Sequence, residues 1–152
     1  MSQLKHCLIL GATGMVGQAL MTEAQGRFGE VSGAARRDAE WHVDFCDPAS
    51  LRHVLNSCES DLVVNAVALT AFDACEKDPV LARALNADSV TIIAEYCKAS
   101  GAELVQISTD QFYVGDREAL HDEQAPVHLL NEYARSKYAG EKNALAIPNA
   151  LV

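Results

Sequence analysis

A glycine-rich segment lies between the first apolar run of the chain and its first amphipathic stretch. Residues 7–10 are Cys-Leu-Ile-Leu, and residues 11–17 continue as Gly-Ala-Thr-Gly-Met-Val-Gly. Glycines at such a junction permit a tight turn and close packing of a helix on a strand, and the helix N-terminus then offers unpaired N–H groups to an anion. The segment predicts a strand–turn–helix unit that binds the pyrophosphate of a dinucleotide. The predicted contacts are Gly11, Thr13, Gly14, Met15, Val16 and Gly17.

Apolar runs and amphipathic stretches alternate along the rest of the 152 residues. Strands are predicted at 7–10, 30–35, 42–45, 62–68, 103–107 and from 150 onward, helices at 15–28, 48–58, 80–101 and around Tyr133, and an irregular loop at 109–130. Such alternation is typical of a parallel sheet that is covered by helices on both faces. We therefore expect an α/β fold, a Rossmann-type doubly wound parallel sheet, with residues 1–152 forming one NAD(P)-binding domain.

Charge and composition exclude several classes of partner. The formal net charge of −9 argues against nucleic acid or an anionic membrane surface. No apolar run approaches the roughly 20 residues of a membrane span, and the first predicted strand begins too early for a signal peptide to precede it. Five scattered cysteines without a Cys-x-x-Cys pair favour reduced thiols over disulfides or zinc ligation. A cytoplasmic protein without a metal site is expected.

The end of the second predicted strand bears on the choice of cofactor. Residues 33–38 are Gly-Ala-Ala-Arg-Arg-Asp. An acid at this position would bind the ribose hydroxyls of NAD, whereas an arginine accommodates the 2′-phosphate of NADP. Arg36 and Arg37 therefore favour NADP(H). NAD(H) stays an alternative because a strand one residue longer would bring Asp38 to that position, and surface arginines in a polar turn would also explain the pattern.

Two polar motifs are candidates for chemistry. Tyr133 and Lys137 are four residues apart in a predicted helix and so share one face. A cation beside a phenol lowers the phenol's pKa and lets the hydroxyl exchange a proton near neutral pH, although this spacing is also common in surface helices. Residues 108–110, Ser-Thr-Asp, follow the strand predicted at 103–107, at the edge where ligands bind. A hydroxyl there would donate to a carbonyl oxygen, and a turn motif explains the triplet equally well.

These motifs, in this order, resemble the extended short-chain dehydrogenase/reductases and, more narrowly, their dTDP-4-dehydrorhamnose reductase branch. The matching segments are 11–17, 44–45, 64–73, 85–86, 108–110, 133–137 and 140–141. Members of the branch are nearly twice as long. The resemblance therefore implies that the chain stops before the substrate domain and that this part by itself is inactive.

The resemblance implies an NADP-dependent oxidoreductase that reduces a small-molecule carbonyl, such as that of a nucleotide-activated sugar. Tyr133 would protonate the carbonyl oxygen as hydride arrives, Lys137 would hold the nicotinamide ribose, and Thr109 would orient the carbonyl. The remaining implied cofactor contacts are Asp44 and Phe45 at the adenine, Ala66, Val67 and Ala68 along the cleft, and Asn86 at the nicotinamide end. A buried asparagine that satisfies backbone groups would explain Asn86 equally well. A homodimer is compatible with the resemblance.

The chain departs from the branch at two positions. The branch continues Ser-Thr-Asp with Tyr-Val-Phe, whereas residues 111–113 are Gln-Phe-Tyr, so we predict a carbonyl substrate without naming one sugar. Ala19 replaces the glutamate of the magnesium-dependent members, so no metal site is predicted. Two alternatives remain open. One is a nucleotide-sugar epimerase or dehydratase, and the other is a non-catalytic, dinucleotide-binding regulatory subunit.

Overall fold

The computed structural model describes residues 5–113 and 120–152, which form one parallel sheet with its helices. The six strands found in these residues are β1 (His6–Leu10), β2 (Glu30–Ala35), β3 (Trp41–His42), β4 (Leu62–Asn65), β5 (Glu103–Gln106) and β6 (Ala150–Leu151). They are ordered β3-β2-β1-β4-β5-β6, and every neighbouring pair is parallel. This is the doubly wound Rossmann order. The predicted fold class is confirmed.

Within the described part of the chain, six helices and one π turn connect the strands. They are α1 (Met15–Ala24), α2 (Pro48–Cys58), α3 (Phe72–Lys77), α4 (Pro79–Arg83), the π turn Ala84–Asp88, α5 (Ser89–Ser100) and α6 (Glu132–Ala144). The predicted start of α2 is confirmed, since Asp47 accepts a hydrogen bond from the backbone N–H of Ala49 and Pro48 occupies the first turn. Asn131 caps α6 in the same way through the N–H of Ala134.

Both faces of the sheet are buried, which explains the uninterrupted apolar run of β1. Leu8 and Leu10 lie in the larger core, which α2, α5 and α6 cover. Cys7 and Ile9 point to the opposite face and pack with Ala24 of α1. Successive residues of a strand point to opposite faces, so a strand that is buried on both sides shows no polar alternation.

Several predicted boundaries were wrong. The helix predicted to reach residue 28 ends at Ala24, because Gly26 adopts a φ of 79° and the chain turns there. The strand predicted at 42–45 covers only Trp41 and His42, because the carboxylate of Asp44 accepts from the N–H of Cys46 and closes a turn. The strand predicted at 62–68 ends at Asn65.

The helix predicted at 80–101 is divided by the π turn, and the short helix α3 before it was not predicted. Gly140 of α6 packs directly on the π turn, and a methyl group at residue 140 would overlap the carbonyl oxygen of Asn86. The helical run ends as expected at Gly101, whose φ of 82° suits glycine.

No helix within residues 5–113 and 120–152 is long and apolar enough to cross a membrane. Within the same residues, no three His, Cys, Asp or Glu side chains converge as metal ligands would. All five cysteines are free thiols, and Cys46 is the exposed one.

Candidate active site

A cleft of about 720 Å³ opens where β1, β2 and β4 end. It lies between β1 and β4, where the strand order reverses and where ligands bind in doubly wound sheets. Predicted cofactor residues that line it are Gly11, Thr13, Gly14, Arg36, Arg37, Asp44, Phe45, Ala66, Val67 and Ala68. The fold thus gathers these residues from four separate segments, although their contact with a cofactor stays a prediction.

The glycine turn has the geometry expected of an anion site. Gly11 has a φ of 81°, and a side chain at Gly17 would overlap the carbonyl oxygen of Gly11, so helix and turn approach more closely than other residues allow. No side chain caps the start of α1 at Gly14. The first-turn N–H groups therefore remain available to a phosphate. Met15 and Val16 are exposed in this first turn and lie outside the cleft lining.

The arginine pair lies immediately beyond β2. The strand ends at Ala35, so Arg36 and Arg37 occupy the positions that follow it, and both are exposed and line the cleft. Asp38 has a φ of 55° and is not among the lining residues. The one-residue shift that would place an acid at the strand end does not occur.

Tyr133 and Lys137 are both buried in α6, with 7% and 4% of their surfaces exposed. The Nζ atom of Lys137 donates a hydrogen bond of 2.6 Å to the carbonyl oxygen of Ile107, just past β5. Burial lowers the pKa of Lys137 to about 8, and the carboxylate of Glu141 partly opposes that shift. Lys137 is therefore a buried cation at neutral pH, one helical turn from Tyr133.

The ring of Tyr133 is held against the wall of the cleft. It packs on Phe72 with 5.1 Å between ring centroids, and it shares a small cluster with Cys75 and Ala82. Leu69 packs on the same cluster and also lines the cleft. Leu69 thus connects the predicted cofactor site with the predicted proton donor.

Asn86 connects this wall of the cleft to α6 through hydrogen bonds. Its amide accepts from the N–H of Leu69 at 2.8 Å and donates to the carbonyl oxygen of Leu69 at 3.0 Å. It also donates to the hydroxyl of Ser136, which in turn donates to the carbonyl oxygen of Tyr133. Asn86 therefore satisfies backbone groups, as the second interpretation of the sequence stated. It does not line the cleft, and its cofactor contact stays a prediction.

A buried polar network joins the cleft to Lys137. The N–H of Val67 donates to Asn65, whose amide donates to Gln106 at 2.8 Å. Gln106 donates to the same carbonyl oxygen of Ile107 that accepts from Lys137. Asn65 and Gln106 are almost completely buried, so their pairing is required to avoid unsatisfied amides.

The segment after β5 has a different local role for each residue. The hydroxyl of Thr109 accepts from the N–H of Gln111 at 3.2 Å, which is the turn that the sequence left as an alternative. Ser108 donates to the carboxylate of Glu141 at 2.7 Å. Gln111 is exposed, and Phe112 is the buried aromatic residue here. Residues 114–119 of the predicted loop lie outside the described residues.

Sequence reasoning missed several residues of this site. The additional cleft residues are Ala35, His42, Val43, Leu69 and Leu85. The network adds Asn65, Gln106, Ser108 and Glu141. Asn65 and Gln106 had a usable signal, because each is an amide inside a run that was predicted as a strand. Ser108 and Glu141 lie 33 positions apart, and no local pattern pairs them.

Comparison with known proteins places these features in a family. The family model of the RmlD substrate binding domain matches residues 5–152. The dTDP-4-dehydrorhamnose reductase of Streptomyces griseus is 34% identical over 140 residues, which are 92% of this chain and 45% of that protein. The Salmonella typhimurium enzyme of the same name is 35% identical over 137 residues, 90% of this chain and 46% of that protein.

A solved structure agrees with the sequence comparison. The dTDP-4-dehydrorhamnose reductase of Bacillus anthracis, in complex with NADP, superimposes with a TM-score of 0.85 at 28% identity and covers 99% of this chain and 52% of that one. The chain thus spans about half the length of the relatives that it matches. With the predicted resemblance confirmed, the chain belongs to the RmlD substrate binding domain family, whose matching members include dTDP-4-dehydrorhamnose reductases.

Proposed function

We propose that this chain is the dinucleotide-binding half of an NADPH-dependent reductase that acts on a carbonyl of a nucleotide-activated sugar. The observation that carries the proposal is the position of Leu69. This residue lines the cleft of the glycine turn and also packs in the cluster that holds Tyr133. This position supports the proposal, because it brings the predicted cofactor site next to the predicted proton donor, as hydride transfer to a carbonyl requires.

The preference for NADPH rests on local charge. The chain as a whole is strongly acidic, yet two exposed arginines follow β2 at the end of the cleft. Guanidinium groups bind phosphate with paired hydrogen bonds, so Arg36 and Arg37 would hold the 2′-phosphate. The related Bacillus anthracis protein was solved with NADP, which supports the same choice.

The proposed chemistry assigns one task to each polar residue. NADPH, when bound, would supply hydride to the carbonyl carbon. The hydroxyl of Tyr133 would donate a proton to the carbonyl oxygen as negative charge develops there. Lys137, charged and buried one turn away, would stabilise the tyrosinate that results. Thr109 would donate its hydroxyl proton to the carbonyl oxygen, which its present role as acceptor from the N–H of Gln111 permits.

The decisive experiment measures cofactor binding and turnover separately in the full-length protein. We expect NADPH to bind by isothermal titration calorimetry and to be oxidised when a nucleotide-linked keto-sugar is added. Tyr133→Phe should retain NADPH binding and lose turnover by about 10²-fold or more, as the loss of a general acid does.

Two of the contrary results would each support a named alternative. Binding of NADPH without turnover by any carbonyl compound tested would support the regulatory subunit. Conversion of the sugar without net oxidation of NADPH would support an epimerase or a dehydratase. Failure to bind either dinucleotide would refute the proposal itself.

A further inference from the structure

Two side chains of α6 form hydrogen bonds with the two consecutive residues that begin one position after β5. Lys137 donates to the carbonyl oxygen of Ile107, and Glu141, one turn later, accepts from the hydroxyl of Ser108. Side chains four positions apart lie on the same face of a helix. The two hydrogen bonds therefore run side by side and fix α6 against the strand end that leads directly into Thr109.

Glu141 also supplies a charge opposite to that of Lys137. Burial alone disfavours the ammonium, and the carboxylate of Glu141 is the charged group that acts against this effect. Among the described residues, the other titratable side chains of this region are Tyr133, Tyr138 and Lys142 on α6, and Tyr113 after β5, on which Asp122 and Glu123 also act. Burial raises the pKa of Tyr113, and the carboxylate of Glu141 is the next largest cause. Tyr113 is therefore neutral and adds no charge to the surroundings of Lys137.

We propose that Glu141 is a positioning residue of this site, which keeps Lys137 in its charged form and, through Ser108, fixes the strand end that carries Thr109. The proposal rests on the proposed function for its consequence in catalysis. It requires no cofactor for its structural part, because the hydrogen bonds of Lys137 to Ile107 and of Ser108 to Glu141 form without one. A merely structural glutamate would support folding and leave the protonation of Lys137 unchanged.

The test is a titration of Lys137 in Glu141→Gln. The five lysines can be labelled with ¹³C at Cε and followed by NMR from pH 6 to 11, and Lys137→Arg identifies the signal by its loss. We expect the pKa of Lys137 to fall by about one unit in Glu141→Gln, since a neighbouring opposite charge is removed. An unchanged titration in a folded Glu141→Gln protein would overturn the proposal.

Glu132→Gln is the matched control, because it removes the same charge from the same helix at a residue that pairs with Arg135 instead. This control should leave the titration of Lys137 unchanged. An equal shift in the pKa of Lys137 would mean that net charge causes the effect, and it would overturn the proposal.

Ser108→Ala is a second test variant for the case in which Glu141→Gln does not fold. It keeps the carboxylate of Glu141 but removes its hydrogen-bond donor, so we expect a smaller downward shift in the pKa of Lys137. An unchanged titration in Ser108→Ala, with Glu141→Gln unfolded, would likewise overturn the proposal. None of these readings depends on NADPH turnover, so the proposed function can fail independently.

Discussion

Asn86 makes hydrogen bonds to both backbone groups of Leu69, and this pairing attaches the wall of the cleft to the helix that carries Tyr133. The two residues are 17 positions apart, and the asparagine lies within the π turn. An irregular turn at this position directs one buried amide toward the backbone of the segment that follows β4. The pairing couples the stability of the fold to the shape of the site.

Asn86→Ala should lower the free energy of unfolding by about 2 kcal/mol, because it removes the acceptor of the half-buried N–H of Leu69 and leaves the carbonyl oxygen of Leu69 with the weaker thiol donor of Cys75. Urea unfolding followed by circular dichroism measures the change. Asn143→Ala is the control, since Asn143 is half-exposed and bonds Ala87 and Thr91, where water can replace it. An equal loss in the two variants would contradict this account.

Gly140→Ala should destabilise the protein although alanine is the better helix former. A methyl group at residue 140 would overlap the carbonyl oxygen of Asn86 and force α6 away from the π turn. Overpacking of this kind costs about 1–3 kcal/mol, and the gain in helix propensity offsets up to about 1 kcal/mol. Thermal unfolding checks the sign. A higher melting temperature in Gly140→Ala would show that the two helices separate without cost.

The double variant Arg36→Ala/Arg37→Ala should weaken NADPH binding by about 10-fold or more and leave NADH binding nearly unchanged, because NADH lacks the 2′-phosphate. Calorimetric titration of both dinucleotides measures the ratio. Arg27→Ala/Arg52→Ala removes the same charge from two exposed arginines that pair with Glu23 and Glu95. This control should preserve the preference, and equal weakening of both cofactors in the test variant would exclude a role in phosphate recognition.

Lys137 should make stability and activity change in opposite directions with pH. Its pKa is lowered from 10.5 to about 8 by burial, so between these values the unfolded chain binds more protons than the folded chain. Stability contributed by this group therefore rises with pH across that window, by at most about 3 kcal/mol. Reductase activity that needs the ammonium should fall as pH rises above about 8.

Lys137→Met isolates this effect. The difference in unfolding free energy between wild type and Lys137→Met should move in favour of the wild type as pH rises from 8 to 10.5. Contributions from the buried cysteines, whose pKa values burial raises, are common to both proteins and cancel. A difference that does not vary with pH would show that Lys137 titrates as an exposed lysine does.

Local patterns were sufficient for the strand–turn–helix unit and for the start of α2. Three glycines after a buried strand leave few alternatives to a tight turn, and Asp47 followed by proline specifies a helix start by adjacent atoms alone. Local patterns did not predict the correct length of β3 or the presence of α3. An edge strand of two residues and a six-residue helix are too short to show a period, and their extent depends on what they pack against.

The amino-acid sequence by itself determined the order of strands and helices, the glycine turn, the arginines beyond β2 and the shared face of Tyr133 and Lys137, because each depends on residues within a few positions of one another. Only the tertiary structure decided that Asn86 bonds Leu69, that Asn65 meets Gln106 and that Glu141 bonds Ser108. These partners are 17, 41 and 33 positions apart. They meet because parallel strands end at one edge of the sheet, where buried polar groups must be paired.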